Sequence, residues 1–208
     1  MPTPDWNERY RTGDLPWDTG APDAHLVKLV ESGRVRPGKC LEVGCGTGTN
    51  ALWLASRGFD VLGVDIAHLA VERANGRIAG TSLRCAFTVL DFLQDRTLTG
   101  PFEFVFDRGC LHSHDEASDR SHFALRVSHL LPVGGLWFSL IGSTEGAPRD
   151  TGPPRRTATD VVSAIEPHLE IVELQSVLFE TNHAEDALAW HCLARHRSES
   201  AQPSTRRQ

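Results

Sequence analysis

The chain lacks the features of nucleic-acid-binding and membrane-spanning proteins. Its formal net charge is -6 and its basic residues form no long run, so no surface is predicted to attract a phosphate backbone. No apolar run reaches the length of a membrane span. The first ten residues also lack the basic and apolar stretches of a signal peptide. We therefore expect a cytoplasmic protein, a monomer or homodimer, whose partner is a small molecule rather than nucleic acid or a membrane.

The sequence is also poor in the patterns of disulfide frameworks and metal sites. No Cys-x-x-Cys pair occurs, and the odd number of cysteines favours reduced thiols packed as small apolar side chains. These cysteines are Cys40, Cys45, Cys85, Cys110 and Cys192. His112 and His114 are two residues apart, but no cluster of further ligands with metal-site spacing accompanies them. The sequence therefore predicts no metal site.

Length and composition fit one folded domain. The chain has 208 residues, of which 40% are hydrophobic and 23% charged, and single domains usually have about 100–200 residues. We assign the domain to residues 21–195 and treat residues 1–20 as a separate N-terminal segment. Residues 196–208 are predicted to form a disordered tail, because apolar periodicity is lost there.

Short apolar runs alternate with stretches of helical periodicity, which favours a parallel sheet buried on both faces. The predicted strands are Cys40–Val43, Val61–Val64, Leu83–Val89, Phe102–Phe106, Leu136–Ile141, Ile171–Phe179 and Ala187–Arg195. Apolar helix faces contain Ala51, Leu54 and Ala55; Ala67, Ala70, Val71 and Ala74; and Phe123, Val127, Leu130 and Leu131. Thr157 and Asp160 resemble a capping box of a later helix. Right-handed crossovers then give a Rossmann-like, doubly wound α/β fold, with a ligand crevice at the carboxyl ends of the strands.

The most specific motif is a glycine-rich loop between the first strand and the first helix of this alternating pattern. Gly44, Gly46 and Gly48 stand at alternate positions, so the loop can turn sharply and lie against a ligand. A dinucleotide site would need a third glycine where counting from Gly44 gives Thr49. Counting from Gly46 instead gives the alanine-ended variant at Ala51. The loop alone therefore disfavours a nicotinamide cofactor but leaves it open.

Acidic residues end three successive predicted strands. Glu42 can hold an ammonium group such as that of the methionine end of S-adenosylmethionine. Asp65, followed by Ile66, can accept hydrogen bonds from the ribose hydroxyls of a nucleoside. Asp91 can accept from the adenine amino group while Phe92 lies against the ring, although a helix N-cap is the alternative role for Asp91. Together the acids favour a nucleoside that carries an amino acid.

These motifs resemble class I S-adenosylmethionine-dependent methyltransferases, and in particular the group of the thiopurine, halide and thiol methyltransferases. The N-terminal string from Trp6 to Asp18 resembles the aromatic segment that covers the cofactor in that group. It contains Trp6, Tyr10 and Trp17, with Tyr10 where those enzymes more often have tryptophan. The alternative role of these aromatics is to pack an N-terminal arm onto the domain. The resemblance implies S-adenosylmethionine as cofactor and a seven-stranded, mostly parallel sheet whose last strand is antiparallel.

A second specific resemblance is Asp107-Arg108-Gly109, which matches the sequence of thiopurine methyltransferase at the site that faces the transferring methyl group. It implies Asp107 and Arg108 as acceptor-site residues, with Asp107 also at the cofactor. The alternative for Arg108 is a structural ion pair with Asp107 or Glu103. His112 or His114 is the candidate proton acceptor for a nucleophile less acidic than a thiol.

We therefore predict methyl transfer from S-adenosylmethionine to a small, largely apolar acceptor, with a thiol favoured. Methylation of oxygen, nitrogen or carbon in a secondary metabolite is the first alternative, because the class I fold hosts all of these reactions. A nicotinamide-linked oxidoreductase and a non-catalytic binding module are the others. The tripeptide at residues 152–154, Gly-Pro-Pro, resembles a loop that contacts the acceptor in the same group.

Overall fold

A computed structural model describes residues 5–146, 154–182 and 187–198. The strands are β1 (Lys39–Val43), β2 (Asp60–Asp65), β3 (Cys85–Val89), β4 (Phe104–Arg108), β5 (Leu136–Gly142), β6 (Glu170–Phe179) and β7 (Ala187–Arg195). The helices are α1 (Trp6–Thr12), α2 (Ala24–Glu31), α3 (Thr49–Ser56), α4 (His68–Ile78), α5 (Ala117–Leu130) and α6 (Ala158–Ile165), with a 3₁₀ turn at Leu111–Ser113. Of the tripeptide at 152–154, only Pro154 lies within the described residues.

The strands form a single seven-stranded sheet in the order β3-β2-β1-β4-β5-β7-β6. Strand β7 runs antiparallel to both of its neighbours, and the pairs among the first five strands are parallel. The Rossmann-like fold class is therefore confirmed. Val43 of β1 pairs with Val64 on one side and Asp107 on the other, so the carboxyl ends of β1, β2 and β4 meet at one edge.

The sheet is buried because its central strands are apolar on both faces. Every residue of β1 after Lys39 is buried, as are the first four residues of β4 and the last six of β5. Two clusters of buried apolar side chains flank the sheet, one of them against α5 and α6. Each fully buried large apolar side chain contributes about 1.5–3 kcal/mol. These clusters hold the site-bearing strand ends in place.

Three predicted strand boundaries were wrong by two residues. The third strand begins at Cys85 rather than Leu83. The fourth strand begins at Phe104 rather than Phe102, because the Phe102 N–H donates to the Leu130 carbonyl at the end of α5. The strand also continues through Asp107 and Arg108, so both residues belong to β4. The Thr157–Asp160 capping box is present as predicted and begins α6.

The C-terminal boundary of the ordered contacts lies beyond Arg195. His196 exchanges backbone hydrogen bonds with Gly134 and Gly135, and Arg197 pairs with Glu166. Residues 199–208 of the predicted tail lie outside the described residues. All five cysteines are free thiols. Within the described ranges, none of the helices has the length and apolar character needed to cross a bilayer.

Replacing a buried ring in the central strands should destabilise the whole domain. Phe106 of β4 has no exposed surface and stacks on Phe138 with ring centroids 5.5 Å apart. We expect Phe106→Ala to lower the free energy of unfolding by about 3–5 kcal/mol, because the substitution leaves a cavity. Val133→Ala, at a position that is 60% exposed, should change it by less than about 0.5 kcal/mol. Urea unfolding of both variants measures these changes. Equal losses of unfolding free energy in the two variants would contradict the prediction.

Candidate active site

The glycine-rich loop joins β1 to α3 through backbone conformations that favour glycine. Gly44, Gly46 and Gly48 have φ angles of 69°, 54° and 81°. The N–H of Gly44 donates to the Val64 carbonyl at 2.8 Å, and the N–H of Gly46 donates to the Asp65 carboxylate at 2.9 Å. The loop is therefore fastened to the end of β2.

The second and third glycines have different structural tasks. A Cβ on Gly46 would lie 2.9 Å from the Tyr10 hydroxyl, so this glycine lets the N-terminal segment approach the loop. A Cβ on Gly48 would lie 2.6 Å from the Phe87 ring, so this glycine lets α3 pack on the sheet. Gly48 thus already supplies the close helix–strand packing for which a dinucleotide motif uses its third glycine.

Glu42 is a buried carboxylate at the end of the central strand. Asn50 donates to its Oε1 at 3.1 Å, whereas its Oε2 is buried without a hydrogen-bond partner. Burial raises the pKa of Glu42 to about 8. A buried acceptor without a partner is costly, and a ligand ammonium group would satisfy it. Glu42 also lines a cavity of about 50 Å³ together with Gly44 and Gly46.

Asp65 and Ile66 lie where β2 ends beside the loop. The two carboxylate oxygens of Asp65 accept from the N–H groups of Gly46 and Ala67, each at 2.9 Å. Burial raises the pKa of Asp65. Ile66 is 46% exposed, which is a large apolar surface to leave in water. The pair can present a polar edge and an apolar face to a nucleoside.

Asp91 and Phe92 have different surroundings. Asp91 is exposed, and its Oδ1 accepts from the N–H groups of Leu93 and Gln94. Residues 92–94 form a turn and not a helix, so the alternative of a helix N-cap was wrong and the carboxylate caps a turn instead. Phe92 is buried in the core, with its ring 4.6 Å from that of Phe123. An adenine ring therefore cannot lie flat on Phe92 in this arrangement, and Asp91 keeps only its second oxygen for a ligand.

The N-terminal segment folds back over the glycine-rich loop. Trp17 contacts the rings of Trp6 and Tyr10 edge-on, at centroid distances of 5.6 and 6.2 Å. Tyr10 is buried against α4, and burial raises its pKa well above the usual range. The Asp18 carboxylate accepts from the Thr47 hydroxyl at 2.8 Å. The aromatics thus pack the segment as an arm, and the arm also closes one side of the cavity.

Asp107 is less accessible than the sequence predicts for an acceptor contact. It has no exposed surface, and its Oδ1 accepts from the N–H groups of Cys110 and Leu111. Its Oδ2 accepts from the Trp137 indole at 2.9 Å. Burial raises the pKa of Asp107 to about 6. This geometry leaves Asp107 the role of holding the turn that follows β4 rather than touching an acceptor.

Arg108 lies on the wall of the cavity and joins three distant segments. Its Nε donates to the Asp23 carboxylate at 2.8 Å, and its Nη1 donates to the Trp17 carbonyl at 3.1 Å. Its Nη2 donates to the Glu180 carbonyl. Its guanidinium carbon also lies 4.6 Å from the centroid of the Phe179 ring. The alternative role of a structural ion pair is present, but its partner is Asp23 rather than Asp107 or Glu103.

Neither of the two histidines lines the cavity. His112 is buried, and its Nδ1 accepts from the Gly142 N–H at 2.6 Å. This bond places the proton of the neutral ring on Nε2, so the ring as bonded is a donor. His114 is half-buried, and burial lowers its pKa. No group of three or more potential metal ligands occurs in the described part of the chain.

The structure brings Glu42, Arg108 and Trp17 together on the wall of the cavity, and Asp65 is bonded to the loop at Gly46. Sequence reasoning missed three polar contributors to this site: Asp18, Asp23 and Asn50. Asp23 had a recognisable signal, because an acidic residue directly before an amphipathic run is typical of a helix N-cap. Asp18 and Asn50 act through partners far away in sequence, which no local pattern reports.

Comparison with known proteins places this geometry in a family. The thiopurine S-methyltransferase family model matches residues 1–196. The chain belongs to this family. A probable thiol methyltransferase from Arabidopsis thaliana is 32% identical over 152 residues, which are 72% of this chain and 65% of the plant protein. The chain thus spans slightly less than two thirds of that relative. Thiocyanate methyltransferase 1 from Brassica oleracea is 30% identical over 85% of this chain and 76% of its own length.

Solved structures of similar fold agree with the family assignment. One, from work on the conversion of a disulfide bond into a thioacetal group during echinomycin biosynthesis, has a TM-score of 0.77 and 25% identity over 89% of this chain and 86% of its own. The Burkholderia thailandensis 1,6-didemethyltoxoflavin-N1-methyltransferase, with bound S-adenosylhomocysteine, has a TM-score of 0.75 and 18% identity. The match covers 92% of this chain and 85% of that protein. S-adenosylmethionine as the cofactor is confirmed, and the unpartnered Glu42 oxygen fits its ammonium group.

Binding of S-adenosylhomocysteine should strengthen as pH rises. In the unliganded protein, the carboxyl group of Glu42 carries a proton below about pH 8. This proton must leave when the ammonium group of the ligand takes its place. The affinity should therefore rise by up to about tenfold per pH unit between about pH 6 and about pH 7.5. Glu42→Gln should bind more weakly and show a flatter profile. Calorimetric titrations at several pH values check this, and a pH-independent affinity of the unmodified protein would contradict it.

A side chain at Gly46 should interfere with the site through its contact with the arm. We expect Gly46→Ala to weaken S-adenosylhomocysteine binding by at least about tenfold, because its Cβ would clash with the Tyr10 hydroxyl. Gly134→Ala is the matched control, since Gly134 also has a positive φ but no atom within 4 Å of an added Cβ. It should lower stability and leave affinity unchanged. Equal affinity losses in the two variants would contradict the assignment.

Proposed function

We propose that this protein transfers the methyl group of S-adenosylmethionine to the sulfur of a small, largely apolar thiol. The observation that carries the proposal is the position of Arg108, whose guanidinium lies on the same cavity as Glu42 and Gly44. A cation beside the acceptor favours the thiolate form of a thiol. The relatives named as thiol and thiocyanate methyltransferases support a sulfur acceptor.

Four residues would hold the cofactor in this proposal. Glu42 receives the ammonium group on its unpartnered oxygen, Asp65 receives the ribose hydroxyls, and the exposed face of Ile66 lies against the base. Asp91 offers its second oxygen to the adenine amino group. Residues 6–18 act as a cover, because Asp18 already fastens the arm to the glycine-rich loop.

When bound, the cofactor would supply a methyl carbon on a positively charged sulfur. The thiolate sulfur of the acceptor would attack that carbon in line, so that a new carbon–sulfur bond forms as the bond to the cofactor sulfur breaks and S-adenosylhomocysteine leaves. The protein then has mainly to align the acceptor and exclude water. Such alignment supplies about 7–11 kcal/mol of barrier reduction. Trp17 and Arg108 provide the apolar and cationic walls for it. A thiol with a pKa near about 8.5 is partly ionised without a protein base, which suits a site where the Nδ1 of His112 is already occupied.

A methyl acceptor on oxygen, nitrogen or carbon is the second candidate. It is supported by a Mycobacteroides abscessus relative named 2-heptyl-1-hydroxyquinolin-4(1H)-one methyltransferase, which is 36% identical over 99 residues. That match covers 47% of this chain and 43% of the relative. A hydroxyl or amine acceptor would need a proton acceptor, for which His114 is the less buried of the two histidines.

The proposal is tested by methyl transfer from radiolabelled S-adenosylmethionine to a panel of thiols, phenols and heterocyclic amines. We expect aliphatic or aromatic thiols to give the highest kcat/KM. Asp65→Ala should weaken S-adenosylhomocysteine binding by at least about tenfold, whereas Arg108→Ala should lower turnover by a similar factor with nearly unchanged affinity. Exclusive labelling of oxygen or nitrogen would favour the second candidate, and no labelling of any acceptor would overturn methyl transfer itself.

A further inference from the structure

Asp23, directly before α2, uses its carboxylate for two separate tasks. Its Oδ1 accepts from the N–H groups of His25 and Leu26 at 2.9 and 3.2 Å and so caps the helix. Its Oδ2 accepts from the Nε of Arg108 at 2.8 Å. Both side chains are largely buried, with exposed fractions of 2% for Asp23 and 10% for Arg108. The helix cap therefore accounts for only half of the hydrogen bonding of this carboxylate.

Asn50 connects the same residue to the cofactor side of the site. Its side-chain oxygen accepts from the Asp23 N–H at 2.9 Å, and its side-chain NH₂ donates to Glu42 Oε1 at 3.1 Å. Three hydrogen-bonded contacts thus run without a gap from Glu42 through Asn50 and Asp23 to Arg108. Glu42 keeps its other oxygen unpartnered, and its hydrogen bond with Asn50 helps to orient it toward a ligand.

The second oxygen of Asp23 is not needed for the helix cap, since serine or asparagine caps a helix about as well as aspartate. Its task is the ion pair with Arg108, and loss of one partner of a buried pair leaves the other charge uncompensated. The Arg108 guanidinium donates its two other hydrogen bonds to the backbone carbonyls of Trp17 and Glu180. Among the residues that the structure describes, Asp23 is the one carboxylate that forms an ion pair with Arg108.

We propose that Asp23 is a positioning residue for methyl transfer. It holds the Arg108 guanidinium against the acceptor side of the cavity, and through Asn50 it ties that position to the carboxylate that receives the ammonium group of the cofactor. This inference rests on the proposed function, since the aligned acceptor is the one named there. Asp23 itself touches neither acceptor nor cofactor, and its effect passes through Arg108.

Two substitutions separate the positioning task from the capping task. Asp23→Asn and Asp23→Ser both keep a capping oxygen for α2, but Asp23→Asn loses the charge and Asp23→Ser is too short to reach Arg108. We expect thiol methylation to fall by about ten- to hundredfold in kcat/KM, because small misplacements of aligning groups cost factors of this size. The dissociation constant of S-adenosylhomocysteine should stay within about threefold. Asp160→Asn is the matched control, because Asp160 also joins an arginine, Arg120, to the first turn of a helix.

A double-mutant cycle with Arg108→Ala gives a readout that a merely structural role would not produce. If Asp23 acts through Arg108, Asp23→Asn should lower kcat/KM by less than about twofold in the Arg108→Ala background. The inference would be overturned if the kcat/KM losses of the two single variants multiplied in the double variant. It would also be overturned if the single Asp23 variants kept their kcat/KM or if both failed to fold. These results are distinct from failure of the proposed function, in which the unmodified protein itself would methylate no thiol.

Discussion

The site depends on one buried carboxylate that the protein leaves half-satisfied. Glu42 lies at the end of the central strand, where removal of a carboxylate from water is expensive unless it is paired or protonated. Burial raises its pKa to about 8, and its Oε2 has no partner within the protein. A cationic ligand group would satisfy this oxygen, which no described side chain does. The sheet, the glycine-rich loop and α3 together fix the place where that cation must lie.

The remaining parts of the site are arranged around this point by contacts between segments distant in sequence. The N-terminal arm reaches the loop through Asp18 and Thr47, and Arg108 reaches the arm through the Trp17 carbonyl. Arg108 also contacts the segment that follows β6 through the Glu180 carbonyl. One set of polar contacts therefore joins the glycine-rich loop, the short, proline-interrupted arm and the cavity wall that contains Arg108.

The fold could be predicted in most of its elements because its signals are local. Buried parallel strands are continuous apolar runs, helices repeat apolar residues every three to four positions, and the Thr157 capping box marks a helix start. Strand bounds were less accurate where context decides them, as at Phe102, whose N–H bonds to a helix end instead of a neighbouring strand. The antiparallel last strand followed from resemblance and not from periodicity.

Within the candidate site, sequence reasoning could propose residues from their type and their position at strand ends, and it missed those that act through partners. Glu42, Asp65 and the three glycines follow from strand ends and backbone freedom. Burial of Asp107 and Phe92 was not predictable, because it depends on Trp137 and Phe123 packing against them. Asn50 and Asp23 were missed for a related reason, since their contacts span 27 and 85 residues of chain.

A crystal structure of the complex with S-adenosylhomocysteine tests the central claim most directly. The account predicts the amino group of the ligand within hydrogen-bond distance of Glu42 Oε2, with the ribose hydroxyls on Asp65 and the arm of residues 6–18 over the ligand. A ligand bound elsewhere, or one whose amino group points away from Glu42 and leaves Oε2 without a partner, would contradict it.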